Sequence, residues 1–132
     1  MGMAWRDNGD LTQAESYLRQ AETIFRRDAN HHGLAQVWGH LGILYLQQAK
    51  WSKARPLLQN SRLTFRTVQD IDGELKALTY LIECELASEE PAHAELYLTE
   101  AEHLLALHDL GKQGEFFVDR IGKFRQRLVS SQ

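Results

Sequence analysis

A single offset of forty residues constrains this 132-residue chain more than any other feature of it. Shifted forward by that amount, Gly33 falls on Gly73, Leu41 on Leu81, Ala54 on Ala94, Leu58 on Leu98 and Ser61 on Ala101. Shifted back, Trp51 falls on Leu11, Ala54 on Ala14, Leu58 on Leu18, Ser61 on Ala21 and Phe65 on Phe25. So many size-matched positions at one spacing mark a repeated structural unit. A unit with an apolar stripe cannot bury that stripe alone, so its copies must stack.

Each unit reads as a pair of helices. Trp38, Leu41, Gly42 and Tyr45 lie at i, i+3, i+4 and i+7. After a short polar turn, Trp51, Ala54, Leu57, Leu58, Ser61 and Phe65 share a second helical face. No segment alternates with period two. The expected layout is a partial repeat over 1–28, a repeat over 33–68, a repeat over 73–108 and a capping helix over 114–129. Counting a stub around Gly2 and Trp5, that makes about seven helices, and the stub reads as half a helix cut from a longer array. Asp10 is expected to N-cap its helix, with Gln13 completing a capping box. Asn30 to Gly33 is expected to be a polar turn, Pro56 to sit near a first turn, and Pro91 to be a first helical residue. Gly42 stands where two helices must approach closely. In the next unit Ile82 replaces it and Glu85 replaces Tyr45. Looser packing is expected there, and Glu85 must reach water or find a cation.

These residues resemble the tetratricopeptide repeats. Trp38, Leu41, Gly42, Tyr45, Ala54, Leu58 and Ser61 match that family's large–large–small–large, then small–large–small, signature. The forty-residue spacing is similar to a long-helix variety of a repeat whose common period is about 34. The resemblance implies an all-α, right-handed α-solenoid of about three helix-turn-helix repeats plus a terminal capping helix. It also implies a concave, peptide-binding groove lined by the first helix of each pair. On that alignment the lining residues are Gln36, Gly39, His40, Ile43 and Gln47, then Lys76, Thr79, Tyr80 and Glu83, then Asp119, Arg120 and Lys123. Ile43 and Tyr80 are the expected anchors, with His40, Lys76 and Arg120 as polar contacts. The family's clamp for C-terminal carboxylates uses Lys and Asn on these helices. Gly39 and Ile43 stand at two of those places, which argues against that ligand class.

Charge is segregated along the chain. Residues 1–69 carry nine Lys/Arg and five Asp/Glu, residues 70–109 carry one and eleven, and residues 110–132 carry five and two. The three blocks are +4, -10 and +3, summing to the net -3. The acidic block suggests a basic protein partner, or basic and acidic ends that meet in self-association. A homodimer through the N-terminal edge, driven by uncovered apolar surface around Trp5, is the simplest closed form.

No basic stripe with interleaved aromatics suggests nucleic acid, and no apolar run approaches a membrane span. One cysteine, Cys84, fits a reducing cytoplasm. The six histidines form no metal-binding spacing, and no nucleotide, hydrolase or metalloprotease motif occurs. The expected function is therefore protein–protein interaction without cofactor, metal or catalysis. The alternatives are a sensory segment of a larger signalling or transcription regulator, or a self-associating scaffold.

Overall fold

The computed structural model describes Asn8–Ser130. Among the described residues there are six helices and no strand: α1 (Asn8–Arg27), α2 (His31–Gln47), α3 (Trp51–Thr67), α4 (Ile71–Ala87), α5 (Pro91–Leu107) and α6 (Gly111–Ser130). Each packs on the next, and alternate helices α2, α4 and α6 also touch, so the chain is an α-solenoid. The expected stub at Gly2 and Trp5 lies outside the described residues.

The frame is stricter than the forty-residue offset suggests. Helices α2 to α5 start at 31, 51, 71 and 91, a step of twenty, with seventeen helical residues and a three-residue turn in each step. The turns close in one way. Ala29, Ala49, Gln69 and Glu89 all adopt positive φ, between 54° and 63°. In each turn the next residue's N–H reaches back to a carbonyl five residues earlier: Asn30 to Phe25, Lys50 to Tyr45, Asp70 to Phe65 and Glu90 to Glu85, at 2.7–2.9 Å. The left-handed residue itself donates three residues back, as from Ala49 to Leu46. This is the Schellman closure, built four times without glycine.

Entry into the succeeding helix alternates between two forms. Asn30 and Asp70 cap α2 and α4, accepting from the Gly33 and Gly73 amides at 2.9 Å. Lys50 and Glu90 offer α3 and α5 no side-chain cap. The Asn30 cap starts α2 at His31, so His31 to Gly33 are helical where a turn was expected. Asp10 is likewise inside the first turn of α1 rather than ahead of it, because that helix already runs from Asn8. A carboxylate there still suits the positive end of the helix dipole. Pro91 opens α5 as expected, while Pro56 falls in the second turn of α3.

Glycines are notches for the preceding or facing helix. A Cβ on Gly33 would stand 2.7 Å from the Phe25 ring, and one on Gly73 would run into the Phe65 ring in the same way. A Cβ on Gly42 would meet Leu58 at 2.6 Å, so α2 and α3 come together over that contact. Ile82 stands in the same register on α4. Ile82 is nevertheless fully buried, beside Leu98, Phe117 and Ile121.

Gly42→Leu should therefore overpack the α2–α3 contact and cost roughly 1–3 kcal/mol in urea unfolding. At Gly39 a new side chain would meet only the Ser61 hydroxyl, at 3.2 Å, so Gly39→Leu should cost clearly less. Equal losses at both sites would show that α2 faces α3 in another register.

Candidate functional site

The side chains expected to line a groove sit on α2, α4 and α6. Between α2 and α4 lies a cleft of about 390 Å³. Gln36, Gly39, His40 and Ile43 form one wall and Lys76 and Tyr80 the other, with Asp72 beside them. Leu58, Ser61 and Phe65 of α3 form the floor. Six of the twelve expected residues are thus brought together. Ser61 is fixed there because its hydroxyl donates to the Ala35 carbonyl at 2.7 Å. Lys76 reaches Asp72 at 3.2 Å, one turn away on α4, while the second Asp72 oxygen is buried without a protein partner.

The other six are placed elsewhere. Thr79 is 3% exposed and bonds back to the Leu75 carbonyl at 2.8 Å, so it is withdrawn from the surface. Gln47 is exposed at the end of α2, outside the cleft. Arg120 of α6 donates to Glu83 of α4 at 2.6 Å, tying the two helices. Asp119 and Lys123 pair with each other at 3.2 Å in open solvent. Sequence reasoning passed over Phe116, which holds the register of Gln36 and Lys76 and is 58% exposed. The signal was there: an aromatic at a lining position, one residue before the core residue Phe117.

Polar side chains join successive repeats by a recurring geometry. Tyr45 of α2 donates its hydroxyl hydrogen to Glu15 of α1. Forty residues on, Arg55 of α3 grips Glu85 of α4 with two bonds, at 2.7 and 3.0 Å. Forty further, Arg125 of α6 donates to Glu95 of α5 at 2.5 Å and to Glu102 at 2.7 Å. One structural position thus holds Tyr, Glu and Arg in turn, and its partner position holds Glu, Arg and Glu. Glu85 is completely buried, so the expected cation has been found, and it is Arg55, which also bonds Ser88. The hydrogen bonds that Arg55 donates to Glu85 raise the Arg55 pKa against the opposing effect of burial.

These pairs absorb the acidic block. Of its eleven carboxylates, Glu74, Glu83, Glu85, Glu95, Glu100 and Glu102 face arginines, Asp72 faces Lys76 and Asp70 faces His32. The arginines come from α3 on one side and α6 on the other, the two basic stretches of the sequence. The field expected to draw a basic partner is largely spent inside the chain.

No group of three or more His, Cys, Asp or Glu side chains among the described residues is placed to hold a metal ion. Cys84 is buried, and that burial, with Glu85 beside it, pushes its thiol pKa up despite Arg55. No described helix is long and apolar enough to cross a membrane.

A helix-pair repeat with its small residues at the crossing points and a cleft between alternate helices defines the class of helical-repeat modules. Comparison points to a particular family over part of the chain: the tetratricopeptide-repeat family model matches residues 1–62. The match spans α1, α2 and most of α3, and α4 to α6 continue the same frame. No curated protein and no solved structure matches the chain. Tetratricopeptide repeats mediate protein–protein interaction.

Removing Arg55 would leave the Glu85 carboxylate buried without its cation. Arg55→Ala should lower the unfolding free energy by about 3 kcal/mol, read from the urea midpoint. Replacing both members by Met should recover most of the loss. A double variant as unstable as Arg55→Ala would show that the pair is not the cause.

Proposed function

We propose that the face formed by α2, α4 and α6 binds a segment of a partner protein through a diagonal apolar track. The observation that carries this reading is that each helix leaves a large apolar or aromatic side chain uncovered at a lining position. Ile43 and Tyr80 are partly exposed in the cleft, and Phe116 is mostly exposed beyond it. In repeat register each sits about one helical turn before the last, so the track crosses the three helices obliquely. Neighbouring packed helices lie roughly 10 Å apart, and one turn adds about 5.4 Å along the axis. Successive anchors are then about 11 Å apart, which suits an extended peptide with apolar side chains every three residues.

Polar groups along the track would set orientation. Gln36 and His40 flank it on α2, and Lys76 with Asp72 on α4. A basic ligand is not required, since apolar contact supplies the anchors and most nearby carboxylates are already paired. This reading assigns the chain no chemistry of its own. The lone buried thiol fits a reducing compartment such as the cytoplasm.

Selection from a random peptide library on the immobilised chain tests the proposal. Enriched peptides should carry apolar residues three apart, and Tyr80→Ala or Phe116→Ala should weaken their binding roughly tenfold with little change in thermal midpoint. Asp119→Ala should leave affinity unchanged. Peptides indifferent to both aromatic variants would place the binding surface elsewhere.

A further inference from the structure

The two gaps between alternate helices are bridged at opposite ends. Across the α2–α4 gap, His32 in the first turn of α2 bonds Asp70, the cap of α4, at 2.9 Å. Asp70 stands at that end of the cleft, and Ile43 and Tyr80 line the other end. Across the α4–α6 gap the order is reversed. Arg120 donates to Glu83 at 2.6 Å. Glu83 is forty residues after Ile43 and Arg120 forty after Tyr80, so this ion pair holds the register of the apolar pair. The register of His32 and Asp70 passes to Asp72 and Leu110, and a leucine cannot repeat that bond. Phe116 lies one turn before Arg120, on the unbridged side, and is 58% exposed.

We propose that the Arg120–Glu83 pair is a positioning element of the binding face: it closes the α4–α6 gap at the level of Tyr80 and turns the bound segment toward Phe116. This role rests on the reading of that face as a peptide site.

A segment anchored between Ile43 and Tyr80 has two ways onward over α6. One stays level and meets Arg120 and Glu83. The other drops a turn and meets Phe116. An apolar side chain taking the level course would strip water from a charged pair without replacing its hydrogen bonds, which is costly. On the lower course it covers an aromatic ring that is already bare. The pair is also held in place from beneath. The Arg120 guanidinium lies over the Phe124 ring, 5.6 Å from its centroid, and Phe124 is buried. The side chains of Arg120 and Glu83 are 37% and 35% exposed, so the pair fronts the mouth of the gap and not the core. An ion pair so open to water adds little to stability, which lets its positioning role be separated from folding.

A double-mutant cycle between the pair and Phe116 tests this, read with peptides selected from a random library on the immobilised full chain. In the wild-type background Phe116→Ala should weaken the selected peptides about tenfold. Glu83→Ile with Arg120→Tyr copies into the second gap the residues that hold the same register in the first. Peptides selected afresh on that double variant should lose less than about twofold on Phe116→Ala, with the thermal midpoint near the wild-type value. Glu83→Gln keeps an acceptor for Arg120 and should keep the full Phe116 dependence. Arg120→Leu, a single change at a partly exposed site, opens the level course and should shrink that dependence, whether or not the double variant folds. Peptides that need Tyr80 and Phe116 in the wild type, and need Phe116 equally in the double variant and in Arg120→Leu, would leave the peptide site standing and remove the role of the pair. Peptides indifferent to Tyr80→Ala and Phe116→Ala in the wild type would remove both.

Discussion

Everything in this fold hangs on how each helix is stopped. A seventeen-residue helix closed by one left-handed residue returns the chain antiparallel after three residues, and the same closure recurs at Ala29, Ala49, Gln69 and Glu89. None of the four is glycine, so each turn carries about 1 kcal/mol or more of backbone strain that glycine would relieve. The six-to-one hydrogen bond and the packing of the next helix hold that conformation in place. The frame breaks at one point. His108 is extended, and Asp109 accepts from the Gly111 amide at 3.1 Å instead of entering the left-handed region. Helix α6 is accordingly the element whose edge differs most from its repeat equivalents.

Within the frame, apolar packing repeats but polar pairing does not. The crossing of Tyr45 with Glu15, Glu85 with Arg55 and Arg125 with Glu95 uses one geometry and three chemistries. A repeat moved to another place would set Glu against Glu or Arg against Arg, and burial makes such mismatches costly. These pairs therefore fix the order of repeats that the small-and-large signature alone leaves interchangeable. They also account for charge segregation along the sequence, since an acidic pair of helices is held between basic ones. The exposed members, such as Arg66 with Glu100 or Asp119 with Lys123, add little by comparison.

The legible part of the fold was its periodicity. Leu41, Gly42, Leu58 and Ser61 are packing positions, and packing is what a recurring pattern of size reports. The cation for Glu85 could be demanded from sequence but not named, because Arg55 is thirty residues away and only the turn geometry aims it. Helix starts were less legible. His31 and His32 look like turn residues, yet Asn30 caps ahead of them, and His32 then packs edge-on against Phe65 and bonds Asp70 at 2.9 Å. Of the groove positions transferred from a shared signature, half come together in the α2–α4 cleft. Thr79 turned inward onto its own helix, and Phe116 was hidden by the apolar pair it forms with Phe117. Exposure depends on the neighbour's shape, which one helix's sequence does not carry.

The most direct test of the frame is the insertion of a single glycine between Ala49 and Lys50, with unfolding measured in urea. A flexible connector tolerates one added residue for well under about 1 kcal/mol, since closure entropy grows only slowly with length. Here the insertion displaces Lys50 from the Tyr45 carbonyl and shifts α3 relative to the notch at Gly42. The predicted loss is at least about 2 kcal/mol, whereas the same insertion between Asp109 and Leu110, where the closure is absent, should cost much less. Equal tolerance at the two turns would contradict the claim that the left-handed closure sets the fold.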